Sequence, residues 1–87
     1  MKVLAITNSE LPIDESLDLL LNQLQERQVE YSLVDYNDPV QKSTLEVYDI
    51  LTTPALLITQ DDGSVIQLWQ GPMPTVDLVI NYAMGNV

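Results

Sequence analysis

The fold is decided by one stretch of the chain, Tyr48-Asp49-Ile50-Leu51-Thr52-Thr53-Pro54-Ala55-Leu56-Leu57-Ile58. A helical pattern ends here, two threonines precede a proline, and an apolar run follows. Proline is tolerated at the first position of a strand, so residues 55–59 are predicted to form a buried strand directly after Pro54. An X-Pro bond can also be cis at modest cost, and the sequence leaves the isomer of Thr53–Pro54 open.

The residues before this stretch predict a strand, a helix and a second strand. Lys2–Thr7 is a continuous apolar run, typical of a central strand that is covered on both faces. From Pro12 to Gln28 the spacing is helical, with Pro12 in the first turn, where no intrahelical donor is needed. The predicted apolar stripe of this helix consists of Ile13, Leu17, Leu20, Leu21 and Leu24. The segment from Glu30 to Tyr36 predicts the second strand, parallel to the first.

A second helix is predicted to begin at Asp38, as N-cap, with Pro39 at the first helical position. Its predicted inner stripe is Val40, Thr44, Val47, Tyr48 and Leu51. This helix leads directly into the stretch described above.

Beyond Pro54 the chain predicts a hairpin and a last helix. Ala55–Thr59 and Val65–Gln70 flank an Asp-Gly pair, which is a strong hairpin signal. The last helix is predicted from Thr75 to Met84, with Gly85 as its C-terminal stop. Its predicted apolar face consists of Val76, Val79, Ile80 and Ala83. The element order is therefore β-α-β-α-β-β-α, and we expect a single domain over residues 1–87.

The stretch from Tyr48 to Ile58 resembles the cis-proline segment of thioredoxins and glutaredoxins. In those families a helix ending in Tyr-Gly-Ile or a similar sequence precedes a cis-proline and a central strand. Together with the element order, the resemblance covers nearly the whole chain. It implies a thioredoxin-like α/β fold, with three helices on a four-stranded mixed sheet of order 2-1-3-4. A cis Thr53–Pro54 bond would turn the Thr53 backbone outward, where an extended ligand could pair with it.

The composition excludes several classes of function. The chain has 13 acidic residues against 3 basic ones, Lys2, Arg27 and Lys42, and its formal net charge is −10. Such a surface cannot neutralise a run of phosphates, so we expect no binding to nucleic acid or to anionic membranes. No apolar run approaches the roughly 20 residues that span a bilayer, and the first residues do not resemble a secretory signal. We therefore expect a cytoplasmic protein.

Cysteine and histidine are both absent from the sequence. Their absence excludes a disulfide, a thiol nucleophile, a zinc-thiolate site and any catalytic triad that uses histidine. The paired carboxylates of the chain do not provide the ring of oxygen ligands that calcium needs. We expect no metal, no cofactor and no enzymatic activity.

In the resembled families a redox Cys-x-x-Cys motif opens the first helix, and Leu11-Pro12-Ile13-Asp14 stands at that place here. Leu11 replaces the nucleophilic cysteine and Asp14 the resolving one, while Pro12 matches the glutaredoxin-type Cys-Pro-x-Cys. Thiol–disulfide exchange needs a thiolate, so that activity is excluded chemically. Complementation of the helix dipole explains Asp14 better than a functional carboxylate with a shifted pKa.

The resemblance also brings the loop of Met73 near Pro54 and the start of the first helix. Leu11, Ile13, Pro54 and Met73 would then form an exposed apolar patch, and such a patch without catalytic groups suggests a protein or peptide site. Inward packing of Leu11 and Met73 is the alternative. The candidate partner-binding residues are Leu11, Pro12, Ile13, Asp14, Thr53, Pro54 and Met73.

Three functions are compatible with these observations. The first is a redox-inactive thioredoxin-like or glutaredoxin-like module that binds a protein or peptide. The second is a regulatory protein, because residues 49–56 also resemble KaiB-like proteins, which likewise lack a Cys-x-x-Cys motif. The third is a glutathione-binding protein without thiol chemistry, although the chain has almost no cations to contact the carboxylates of glutathione.

Overall fold

The computed structural model of the chain describes residues 1–83. The elements are β1 (Lys2–Thr7), α1 (Glu15–Glu26), β2 (Ser32–Asp35), α2 (Lys42–Val47), β3 (Ala55–Thr59), β4 (Val65–Gln70) and α3 (Val76–Ala83). The predicted order β-α-β-α-β-β-α is confirmed, although β2 is shorter than the predicted segment from 30 to 36. The predicted end of the last helix at Met84 and its stop at Gly85 lie outside the described residues.

The four strands form one mixed sheet in the order β2-β1-β3-β4, as predicted. β1 pairs in parallel with β2, where Ala5 lies opposite Leu33. It pairs antiparallel with β3, where Ile6 lies opposite Ala55, and β3 pairs antiparallel with β4. The register of β1 and β3 brings the end of β1 beside Pro54, which directly precedes β3.

Each face of the sheet has its own hydrophobic core, because successive side chains of a strand point to opposite faces. The core beneath α1 and α3 consists of Val3, Ala5, Leu17, Leu20, Leu21, Leu24, Leu56, Ile58, Val76 and Val79. The core beneath α2 consists of Ile6, Leu45, Ile50, Ala55 and Leu57. Every residue of β3 is buried, since this strand is covered on both faces.

The first helix begins three residues later than predicted, at Glu15. Asp14 is its N-cap and accepts a hydrogen bond from the Leu17 N–H at 3.1 Å. Because this carboxylate satisfies one of the free N–H groups of the first turn, the helix starts directly after it. Pro12 and Ile13 therefore lie in the connection between β1 and α1, and Ile13 does not belong to the buried stripe.

The second helix differs from the prediction in both its start and its inward face. It begins at Lys42, because Asp38 forms a separate turn in which its carboxylate accepts the Val40 N–H at 2.9 Å. Leu45 and Ile50 are the buried residues here. The predicted inner stripe is wrong for Val40, Thr44, Val47 and Leu51, which are exposed, whereas Tyr48 packs partly buried against this core.

The backbone at Asp49 explains why Leu51 points outward. Asp49 has a φ of 56°, in the left-handed region, and the Ile50 N–H donates to the Leu45 carbonyl at 3.0 Å. This conformation ends the helical phase after Tyr48, as it does at many helix C-termini. Ile50 therefore turns toward the sheet, while Leu51 is 76% exposed.

Candidate functional site

The connection between β1 and α1 is fixed by short-range hydrogen bonds. The Leu11 N–H donates to the Asn8 carbonyl at 3.1 Å, and the Glu10 N–H donates to the Asn8 side chain at 3.0 Å. The Ser9 N–H donates to the Asp35 carboxylate at the end of β2, at 3.2 Å. The loop is thus tied to the sheet at its start, while Leu11 is 56% exposed at its far side.

Asp14 closes this loop and acts as the cap of α1. The Ser16 hydroxyl and the Leu17 N–H both donate to the Asp14 carboxylate, and they hold the pKa of Asp14 below its ordinary value. The carboxylate that stands where the resembled families have their second cysteine is therefore engaged in starting the helix.

The opposite side of the site is the segment before β3, which is held by Gln70 at the end of β4. The Gln70 side-chain oxygen accepts from the N–H groups of Leu51, at 2.8 Å, and Thr52, at 3.1 Å. Its amide nitrogen donates to the Asp49 carbonyl at 3.4 Å. One side chain thereby anchors the chain between α2 and Thr53.

The Thr53–Pro54 bond is cis. The Pro54 carbonyl accepts the Gly71 N–H at 2.9 Å. Within residues 1–83, neither the N–H nor the carbonyl of Thr53 has a hydrogen-bond partner. Thr53 therefore presents one backbone donor and one backbone acceptor that are unused.

Between these two sides lies a groove of about 430 Å³, a size typical of ligand sites, which range over about 300–1,000 Å³. We call it the groove. Its apolar lining comes from both loops, from α1 and from β2, namely Leu11, Pro12, Ile13, Leu17, Leu21, Leu33 and Pro54. Its polar lining consists of Thr7, Asn8, Ser9, Asp14, Asp18 and Thr53. Six of the seven candidate residues from the sequence are therefore brought together.

Met73 is the candidate that the fold separates from the others. It is partly buried and packs against the core beneath α1 and α3, and it does not line the groove. The segment from Gly71 to Thr75 connects β4 to α3, whose first residue, Val76, is itself part of that core. Met73 is therefore held inward with α3 and does not extend an exposed patch with Leu11.

Seven lining residues were not among the candidates from the sequence, namely Thr7, Asn8, Ser9, Leu17, Asp18, Leu21 and Leu33. Leu33 is the most exposed apolar residue among them. It lies on the edge strand β2, opposite Ala5, and its side chain is 63% exposed. Alternation along the strand places Leu33 on the same face as Tyr31, but it cannot show that α1 leaves Leu33 uncovered. An apolar residue on an edge strand beside an alanine is the only signal that pointed to it.

Among residues 1–83, no three side chains of histidine, cysteine, aspartate or glutamate lie close enough together to hold a metal ion. In the same part of the chain, no helix has the length and apolar character that crossing a bilayer requires.

No protein-family model matches the chain, and no curated protein matches it. Among solved structures, the chain is similar to thioredoxin 1 from the thermophilic eubacterium Thermosipho africanus TCF52B, with a TM-score of 0.67 and 15% sequence identity. The match covers 99% of this chain and 93% of that one. At this identity the likeness establishes the fold alone. The chain has a thioredoxin-like fold, and it contains no cysteine.

Proposed function

We propose that this chain is a redox-inactive thioredoxin-like domain that binds a protein partner through an extended segment of that partner. The observation that carries the proposal is the apolar groove beside the unused backbone groups of Thr53. Apolar side chains that remain exposed around a concavity are typical of a site covered by another molecule.

An extended segment fits both features of the site. Its backbone can exchange hydrogen bonds with the Thr53 N–H and carbonyl, as in recognition by strand addition. A side chain next to that backbone can then enter the groove and contact Leu17, Leu21 and Leu33. Because Gln70 and Asp14 already hold the two loops, little ordering is needed on binding.

The residues that line the groove do not favour catalysis. The Asp14 carboxylate is engaged by Ser16 and Leu17, and the Asp18 carboxylate is exposed. With no thiol and no imidazole in the chain, neither attack by a thiolate nor histidine-based proton transfer is available. A role in binding, without turnover, is the function that these groups support.

The test is capture of partners from a native cell extract with two matched double variants. Leu11→Asp/Ile13→Asp adds two charges at the groove. Val40→Asp/Val47→Asp adds one charge in the turn before α2 and one on the outward side of α2. All four side chains are exposed, so both variants are expected to fold. We expect a partner of the wild type to be lost with the first variant and kept with the second. Retention by the first variant would contradict the proposal, and a loss confined to the second would move the surface to α2.

Neither alternative function gains support from the described residues. Glutathione carries carboxylates, but the groove is lined by two carboxylates of its own and by no lysine or arginine among residues 1–83. We expect millimolar glutathione to leave the amide signals of the groove unchanged. A KaiB-like regulator that switches fold would give two sets of amide signals in solution, and we expect one set.

A further inference from the structure

The charges around the groove are of one sign. Asp14 and Asp18 line it, and no basic residue does so within residues 1–83. The three basic side chains of the chain lie elsewhere. Arg27 is near Asp77, with 3.5 Å between the guanidinium and the carboxylate, Lys2 is at the far end of β1, and Lys42 is on α2, beyond the opposite face of the sheet.

The two carboxylates at the groove are not equivalent. Asp14 accepts hydrogen bonds from Ser16 and Leu17 and so caps α1. Asp18 lies one turn further along α1, is exposed, and makes no side-chain hydrogen bond or ion pair in the part of the chain that is described. Asp18 is therefore the carboxylate that is available to a bound molecule.

We propose that the groove takes an extended peptide segment with an aliphatic side chain close to a lysine or arginine, and that Asp18 contacts this cation. The inference rests on the proposed function and adds the chemistry of the partner. The aliphatic side chain would contact Leu17, Leu21 and Leu33, which form the apolar lining between α1 and β2. An acidic segment would meet Asp14 and Asp18 without compensation, and the net charge of −10 opposes its approach.

The test begins with selection of short random peptides on the wild type and on two matched variants of α1. Asp18→Asn removes the free carboxylate, and Glu26→Gln makes the same charge change at an exposed residue two turns along the same helix, outside the groove. We expect wild-type selection to enrich aliphatic residues near lysine or arginine and to deplete aspartate and glutamate. The enrichment of cations should weaken with Asp18→Asn and persist with Glu26→Gln.

The best selected peptide is then synthesised with its cation intact and with that cation replaced by glutamine. For the cationic peptide, Asp18→Asn should weaken binding by about two- to fivefold, the range expected for an exposed ion pair. The same substitution should leave binding of the neutral peptide unchanged, and Glu26→Gln should affect neither peptide. If Asp18→Asn and Glu26→Gln weakened binding of the cationic peptide equally, the peptide would be attracted by the net charge of the protein and not by Asp18. That result would overturn the proposal.

Leu33→Gln separates this inference from the proposed function, because it makes the groove polar without changing charge. Neutral or acidic peptides that are lost with Leu33→Gln would overturn the cationic preference and leave peptide binding in the groove intact. Cationic peptides that bind equally well to Leu33→Gln would overturn both. Failure to enrich any peptide on the wild type would also count against both.

Discussion

Asp14 has a structural role that can be tested at a single residue. Its carboxylate caps α1, and an aspartate cap contributes about 1 kcal/mol relative to alanine. We expect Asp14→Ala to lower the free energy of unfolding by about that amount. Asp14→Asn keeps an oxygen that can accept the Leu17 N–H, so its loss at neutral pH should be much smaller. Urea unfolding of the three proteins measures both effects, and equal losses would contradict the capping role.

Asp14 should also affect how the stability of the protein depends on pH. The hydrogen bonds from Ser16 and Leu17 hold the pKa of Asp14 below its ordinary value of 3.8. A lowered pKa in the folded state means that the contribution is present above 3.8 and is lost as the pH falls through the folded pKa. We therefore expect the stability of the wild type to fall more steeply below pH 3.8 than that of Asp14→Asn. Parallel pH profiles of the two proteins would contradict this assignment.

Gln70 is the residue whose loss should loosen the site without unfolding the sheet. Gln70→Leu removes the acceptor of the Leu51 and Thr52 N–H groups, so their amide protons should exchange with solvent faster. Gln67→Leu is the matched control, because Gln67 lies on the same strand and donates to Tyr82 at 3.2 Å, away from the loop. Unchanged exchange at Leu51 and Thr52 in Gln70→Leu would show that another group anchors the loop.

At the scale of elements, α2 is where the structure departs most from the sequence pattern. Leu45 is buried against the sheet, whereas Val47 is 75% exposed. Leu45→Ala should therefore lower the free energy of unfolding by about 2–5 kcal/mol, as for other buried leucines. Val47→Ala should change it by about 0.5 kcal/mol or less. Thermal or urea unfolding compares the two variants. A larger loss of stability for Val47→Ala than for Leu45→Ala would show that Val47, as first predicted, faces the core.

The difference at α2 has a physical origin that the sequence does not reveal. The helix has only six residues, too few for a stripe of apolar positions to fix its phase. The left-handed Asp49 then shifts the phase by bringing Ile50 inward. For the longer α1, the buried residues Leu17, Leu20, Leu21 and Leu24 were predicted correctly. Three helical turns of one apolar stripe allow only one face of the helix to be buried.

Some residues of the candidate site could be placed from the sequence and the resemblance, and others could not. Leu11, Ile13 and Pro54 line one groove. Their proximity was expected from the resemblance, which supplied the order of the strands, and periodicity alone could not provide that order. Met73 was a candidate with inward packing as the alternative, and Leu33 was not a candidate. The exposure of both residues depends on how α3 and α1 cover the sheet. That coverage is a tertiary property, and neither residue has a local pattern that reports it.

At the scale of the whole molecule, the net charge of −10 predicts how stability responds to salt. Within residues 1–83 the ion pairs are those of Met1 with Asp61 and of Arg27 with Asp77, so most carboxylates have no cationic partner. Raising NaCl from about 10 mM to about 0.5 M should therefore increase Tm, because screening relieves more repulsion than attraction. Chloride is the suitable anion, since sulfate also strengthens apolar burial. A Tm that falls with NaCl would contradict this balance of charges.

The groove is the surface proposed to bind the partner. Photo-crosslinking in the native cell tests this proposal most directly. A photoreactive benzoylphenylalanine is placed at Leu33, inside the groove, or at Val47, which is similarly exposed on the outward side of α2. We predict a crosslinked partner from position 33 and none from position 47. A partner that crosslinks from position 47 and not from position 33 would contradict the assignment of the groove as the binding site.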